Sequence, residues 1–550
     1  MCGIAGYIDF SASPKDAIKA MTGSMAHRGP DGEGLETVQC NNALLAFGHK
    51  RLSIIDLSET GKQPMRYKHL LITFNGEVYN FNEIKEELKG LNHQFIGHSD
   101  TEMILHAYVE WGSKCLDKFI GMFAFAIYDD KQQTVFFARD RAGIKPFYYY
   151  RDEERFLFAS ELKAFHQHPD FKKRINQNVL AIYMQYGNVP APYCIFEDCY
   201  KLMPGHFMFL HLATKKLEIQ KYWNVYDNAY NTEKVDIGFE EAKSKTESLL
   251  VSAFNYRMIA DVPVGVFLSG GYDSVCLTAL LQKNRSEKIK TFTIGVSDFG
   301  LDESVYAKEI AKLLGTEHNT FYCSQKEALG IIEQLPYYYD EPFGDSSAVP
   351  TTLVCKIAKQ QVTVALSADG GDEVFAGYNR YDYLMKHGKL LNQTPKLMRD
   401  AAAFMMHRVS SQHLPVLKNR YNFHNRYNKL KNLLRDPSPE NMMKSLSTQF
   451  LDEELKKLML KPFQHLESNY QSKALKADHY SALRYMMAVD YETYLPDDIL
   501  QKVDRASMSA SLEAREPFLD HRIIEWAAKL PDHFKYKDGI KKYMLKEIVH

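Results

Sequence analysis

The stretch VPVGVFLSGGYDS at residues 262–274 decides the fold of the larger part of this chain. Val262–Leu268 is an apolar run of strand length. It breaks at Ser269-Gly270-Gly271, after which Val275, Cys276, Ala279 and Leu280 recur at helical spacing. Strand, glycine turn and helix in that order make an anion site. Glycines let the backbone come close to phosphate, and the helix N-terminus supplies N–H donors and the positive end of its dipole. Ser269 and Ser274 add hydroxyls. No Walker-type sequence (Gly, four residues, Gly-Lys-Ser/Thr) occurs, so chemistry at the β–γ bond of a nucleotide is not indicated.

Toward the C-terminus the rhythm continues. Lys290–Val296 reads as a strand, Glu303–Leu314 as a helix and Gln361–Leu366 as a strand. Strands alternating with helices predict a parallel sheet covered on both faces. From about residue 380 the pattern is mainly helical. Toward the N-terminus it changes. Ala43–Phe47, Leu70–Phe74, Met122–Tyr128, Val135–Ala138 and Phe147–Tyr150 are short β-branched or aromatic runs punctuated by Gly and Asp. Asn82–Lys89 and Thr101–Trp111 interrupt them as helices. Residues 211–240 are polar and weakly patterned and read as a link. The organisation predicted is a domain at 1–210, a link at 211–240 and a second domain at 241–550.

Composition narrows the functional classes. The chain has 550 residues, 45% hydrophobic and 25% charged, which suits a folded globular protein. Its 68 Lys and Arg balance 69 Asp and Glu, so a nucleic-acid partner is not expected. No signal-peptide pattern and no membrane-length apolar run is found; Phe119–Tyr128 is about half the length needed. The eight cysteines form no CxxC pair and no zinc spacing, and their scatter suits a reducing cytoplasm.

One cysteine stands apart. Cys2 follows the initiator Met. Once Met1 is removed, Cys2 carries an α-amine beside its thiol, and that amine titrates near pH 7.7–8.0 in model peptides. It can take the thiol proton, so no separate His is required.

Cys2 does not stand alone. MCGIAGY (1–7), HRGPDG (27–32), GHKRLSIIDL (48–57), FNGEVYN (74–80), SDTEMIL (99–105), ARDRAGIKPFYY (138–149) and FASELKA (158–164) follow in order. Together they resemble the N-terminal-nucleophile glutaminase domain of class II glutamine amidotransferases, over residues 1 to about 205. The resemblance implies that Cys2 attacks the amide of glutamine. Asn75 and the Gly76 N–H would form the oxyanion hole, Arg51 would hold the α-carboxylate, and Glu77 and Asp100 the α-ammonium. Taken alone, Asn75-Gly76 is also a hairpin signal and Ser99-Asp100 a helix start. His27, His49 and His98 have no metal spacing and read as core or solvated histidines.

The strand–SGGYDS–helix unit resembles the PP-loop of ATP pyrophosphatases. DEPFGDSSAVP (340–350), VALSADGGDEVFAGYNRY (364–381) and LPDDILQKVDRASMSASLEAREPFLD (495–520) resemble the synthetase domain of glutamine-hydrolysing asparagine synthetases. The implied architecture is an α+β N-terminal-nucleophile hydrolase sandwich (αββα) followed by an α/β PP-loop domain of the adenine nucleotide alpha hydrolase-like type, with a helical C-terminal part. ATP and Mg²⁺ are implied. Ser269, Gly270, Gly271, Asp273 and Ser274 would cradle pyrophosphate, with Ser367 and Ala368 at the nucleotide. Asp273 and Asp372 would hold Mg²⁺, and Asp369 and Glu373 would face the acceptor pocket. Lys502, Asp504 and Arg505 fit either a solvated helix face or further residues of the second site, and are left outside the site set.

The implied reaction is glutamine hydrolysis at Cys2 with ammonia passed to an acyl-adenylate. Aspartate is the leading acceptor, and a uronic acid of a nucleotide sugar is the alternative. Partners are small molecules, without nucleic acid or membrane, and a homo-oligomer is compatible with the sequence. Three departures from the family pattern stand out. Ala368 replaces a usual Gly, Tyr272 fills a position where small aliphatics are common, and the pattern continues past the segment matched by Gly539–Ile548. That continuation carries an expected catalytic lysine, so the second domain reads as lacking its C-terminal tail. Lys541, Lys542 and Lys546 match the preceding helix and are given no role.

Overall fold

The computed structural model describes residues 2–40, 42–283, 285–296, 302–409, 413–414 and 423–550, so Met1 of the MCGIAGY segment lies outside them. Two six-stranded antiparallel sheets come first. One runs, in spatial order, Cys199–Lys201, Tyr148–Arg151, Arg155–Ala159, β1 (Gly3–Asp9), Leu44–Arg51 and Gly32–Gln39. The other runs Met65–Tyr67, β2 (Leu70–Val78), β3 (Gly121–Asp129), Thr134–Arg139, His206–His211 and Leu217–Lys221.

Strand alternation builds the layers, because successive side chains leave opposite faces. Leu71, Ala124 and Phe137 of the second sheet meet Ile4, Ile8, Leu45 and Phe47 of the first, closing a core between them. Their neighbours Ile72, Phe74 and Phe125 point outward, where Ile84, Leu88, Met103 and Ile104 cover them. The latter two come from α1 (Asp100–Trp111). Ala5, Tyr7 and Ala46 on the outer face of the first sheet are covered by Ile18, Met21 and Ile182. The result is the expected αββα sandwich.

The link read at 211–240 is corrected in its first third. Leu217–Lys221 pairs with His206–Leu210 as the outer strand of the second sheet. It is half to fully exposed along its length, so it carries no alternation that a sequence reading could detect. The next long helix, Phe239–Arg257, starts close to the predicted boundary.

The second half is built on a five-stranded parallel sheet ordered Glu317–Cys323, Lys290–Val296, β4 (Val264–Phe267), β5 (Val364–Leu366) and β6 (Glu513–Arg515). From β4 the chain builds outward on one side, then returns to place β5 on the other. Ligands in such sheets bind in the crevice beyond the strand C-termini where the direction reverses. SGGYDS follows β4 and opens α2 (Tyr272–Lys283); SADGGDE follows β5 and opens α3 (Gly371–Phe375). Both expected loops therefore meet at the switch point.

Beyond 380 the described chain is helical as expected, with β6 as the one exception among the described residues. A fully buried strand of three residues that carries Glu513 and Arg515 has no hydrophobic pattern to read. α4 (Leu500–Met508) also corrects an expectation: Lys502, Asp504 and Arg505 do not form a solvated face but are all buried. α5 (Tyr543–Val549) packs against α2. Among the described residues, no helix is long and apolar enough to cross a membrane.

Candidate active sites

The first site forms where β1 begins beside the middle of β2. The Cys2 backbone N–H donates to Asn75 Oδ1 at 2.9 Å, and the Cys2 sulfur lies 3.8 Å from the Leu52 carbonyl oxygen. Burial pushes the thiol up, and the nearby Glu513 and Glu77 carboxylates add to the rise. Such a thiol needs a base to become a nucleophile.

Asn75 and Gly76 are not a hairpin turn. Both lie inside β2, opposite Ala124 and Phe123. Asn75 is fully buried, and its Nδ2 has no hydrogen-bond partner. A buried amide N–H₂ left open beside a candidate nucleophile is the donor an oxyanion hole requires. Strand geometry adds a second. On the side of β2 away from β3, Phe74 N–H donates to Gln63 Oε1 and Val78 N–H to Asp100 Oδ2. Gly76 lies between them, so its N–H faces the same side. Gly76 has φ +151°, and a Cβ there would lie 2.1 Å from the Met122 carbonyl oxygen, so only glycine fits.

Arg51 is held by loop carbonyls: it donates to Ser58 O at 2.9 Å and to Asp56 O. Glu77 and Asp100 are buried side by side. Burial pushes Asp100 up to about 6, while Val78 N–H pulls it back. Glu77 is driven well above the carboxylate range by burial and then by Asp100 and Glu513. Cys2, Asn75, Gly76, Glu77 and Asp100 are thus brought together, and Arg51 immediately precedes Leu52, whose carbonyl the Cys2 sulfur approaches. Asp100 also starts α1 behind the Ser99 cap, so the two readings of that position coexist.

Arg28, quoted within HRGPDG but given no role, belongs to this site. Its Nε donates to the Cys2 carbonyl at 3.0 Å. Its two Nη groups each donate to Asp504 of α4 at 2.8 Å, and Nη1 also to Glu161 at 2.8 Å. Both carboxylate partners are buried; losing one member of such a buried charge set costs about 3–5 kcal/mol.

The second site is a cavity of about 550 Å³ at the switch point. Ser269, Gly271, Asp273, Ser274, Ser367, Ala368, Asp369, Asp372 and Glu373 line it; Gly270 does not, lying against Tyr306 instead. The PP-loop is folded on its own hydroxyls. Gly271 N–H donates to Ser269 Oγ at 3.2 Å, Ser269 N–H to Ser274 Oγ at 3.1 Å, and Ser274 Oγ to Gly271 O at 3.0 Å. Ser367 Oγ donates to Asp369 Oδ2 at 2.5 Å. Gly371 permits the approach of the two loops, since a Cβ there would stand 2.6 Å from the Asp273 carboxyl carbon.

Lys542, passed over in the sequence, pairs with two of the lining carboxylates. Its ammonium pairs with Asp273 Oδ2 and lies 2.6 Å from Asp372 Oδ1. Burial pushes Asp273 up to about 6, with Lys542 pulling it down. The second oxygen, Asp273 Oδ1, is buried without a hydrogen-bond partner. Two convergent carboxylates, one with an open oxygen, form a hard-donor set that fits Mg²⁺, which ordinarily takes one or two carboxylates and completes its shell with phosphates and water. Lys502 also lines the cavity, held by Asp345 and Ser347 at 2.9 Å each. Burial pushes Glu373 up to about 8, and it accepts from the Tyr378 hydroxyl at 2.6 Å. Tyr272 is turned away, its ring beside His550 and under Lys546.

Two family models match: glutamine amidotransferase domain over residues 1–223 and asparagine synthase over residues 245–550. A putative glutamine-hydrolyzing asparagine synthetase of Methanocaldococcus jannaschii is 38% identical over 71% of this chain and 79% of its own. The glutamine-hydrolyzing asparagine synthetase 1 of Bacillus subtilis is 32% identical over 100% of this chain and 84% of its own. A Gibberella zeae protein called amidase chry2 is 27% identical over 100% of this chain and 86% of its own.

Proposed function

Because the chain belongs to the glutamine-hydrolyzing asparagine synthetase family, a family of ATP-using ligases, we propose that it makes asparagine from aspartate and that the residues above divide the work as follows. Cys2 attacks the glutamine amide, with the free α-amine as base. Asn75 Nδ2 and the Gly76 N–H receive the oxyanion. Arg51 takes the α-carboxylate, a match for its planar fork, while Glu77 and Asp100 take the α-ammonium. The acyl-enzyme releases glutamate on hydrolysis, and ammonia travels to the second site.

There the Ser269–Ser274 loop receives the departing pyrophosphate, with Ser367 and Ala368 at the adenosine side. Asp273 and Asp372 would hold Mg²⁺, which supplies charge neutralisation at the phosphates. Lys542 is placed to follow the phosphate charge once the carboxylates engage a metal. Asp369 and Glu373 face the acceptor, Glu373 oriented by the Tyr378 hydroxyl. The aspartate carboxylate displaces pyrophosphate to give an acyl-adenylate, and ammonia displaces AMP. A cytoplasmic setting fits free cysteines at every described position.

The observation that carries the reading is the meeting of Asp273 and Asp372, two cavity-lining carboxylates from loops after two different strands, on one charged group, the Lys542 ammonium. AMP and pyrophosphate release should be measured with glutamine, ATP and Mg²⁺, comparing aspartate with a panel of uronic acids. Aspartate-dependent AMP is expected. AMP formation that ignores aspartate and follows a uronic acid reassigns the acceptor.

A further inference from the structure

β6 is the edge strand of the parallel sheet, and it lies against the first half of the chain. Its last residue, Arg515, is fully buried and touches both sites. On the main chain, the Arg515 carbonyl accepts from Ser367 N–H at 2.8 Å, at the start of the nucleotide loop. On the side chain, Nε donates to Glu513 at 2.6 Å, and Nη1 donates to the carbonyls of Arg257 at 2.8 Å and Ile259 at 2.6 Å. These bonds fix the fork. The remaining nitrogen, Nη2, has no hydrogen-bond partner and lies 3.8 Å from Glu77 Oε1. Glu77 Oε2 is likewise buried without a partner.

We propose that Arg515, supplied by the second half of the chain, is a positioning residue of the glutamine site, holding the Glu77 carboxylate ready for the α-ammonium of the substrate.

The electrostatics require such a group. Facing Glu77 are Asp100 from α1, Glu513 and Arg515 from β6, the Cys2 thiol and the positively charged N-terminal amine. Three buried carboxylates crowd together, and each disfavours charge on the others. Arg515 is the cation in direct reach of Glu77. It opposes the burial that raises Glu77 and is itself held charged, chiefly by Glu513, against its own burial. An isolated first half could fold its αββα layers and still leave Glu77 without this partner.

This inference rests on the glutaminase reading above. The test is ammonia release by the full chain from glutamine and from glutaramic acid, which lacks the α-amine, between pH 6 and 9. In Arg515→Gln the KM for glutamine should rise about tenfold at neutral pH, one protonation unit's worth. It should rise further toward pH 6, while kcat changes little and glutaramic acid is unaffected. Arg515→Lys keeps the charge but not the fork and should give a rise of about threefold. A merely structural role would lower turnover of both substrates together, without a pH slope. Wild-type KM and pH dependence in a folded Arg515→Gln overturn the proposal; should that variant not fold, a wild-type KM in Arg515→Lys overturns it. If the wild-type chain itself releases no ammonia from glutamine, the glutaminase reading fails, and this inference with it.

Discussion

Lys542 pairs with Asp273 at the switch-point site, tying the start of α5 to the first turn of α2. The same ammonium also reaches Asp372. Lys542→Met should leave the buried Asp273 carboxylate facing the half-exposed Asp372 carboxylate, and their repulsion should lower Tm. A divalent cation can take the vacated position. Mg²⁺ should therefore raise the Tm of the variant more than that of the wild type, as read by thermal shift with and without the ion. Equal responses would show that the carboxylates do not form a cation site.

Cys2→Ala separates the half-reactions. Glutamate formation from glutamine should fall to background, while AMP formation with ammonium as nitrogen donor should persist. Loss of both activities in a folded variant would contradict two separate sites.

Asn75→Ala removes the open Nδ2 donor. Turnover should drop by about 10²–10³, the range for one oxyanion donor, with a smaller change in KM. Gly76→Ala should instead compromise folding, because its Cβ collides with backbone at Met122. Soluble yield and circular dichroism distinguish the two outcomes.

Asp100 sets a pH window. Its folded-state value of about 6 is above the usual carboxylate value near 3.9. The stability linked to this group is therefore fully present below about pH 4 and is lost as pH rises through about 6. Bound glutamine should restore it by pairing its ammonium with the ionised carboxylate. The Tm increase produced by glutamine should accordingly be larger at pH 7.5 than at pH 5, and kcat/KM for glutamine should fall as pH drops through 6. Asp100→Asn should remove both dependences.

Much of the fold was legible because it depends on local signals. The run before Ser269 and the helical spacing after Asp273 reported β4 and α2 directly, and the loop at their junction located the second site. Asn75 and Asp100 could be named only by resemblance, since a strand-embedded Asn-Gly and a helix cap look ordinary on their own. What stayed hidden depends on tertiary charge pairing. Arg28, Arg515 and Lys542 gain their roles from partners hundreds of residues away, and Lys502, Asp504 and Arg505 look like a wet helix face until Glu161, Asp345 and Arg28 bury them. A single chain shows the charges but not their pairing.

The placement of β6 orders events during synthesis. The ribosome completes the αββα sandwich, with Cys2 and the whole of β2, long before residue 515 emerges. The strand that carries Arg515 thus arrives well after the sandwich is complete. On the roles proposed above, a nascent or broken chain that has Cys2 but not β6 would be a poor consumer of glutamine, so nitrogen release would begin only once β5 and β6 are both in place.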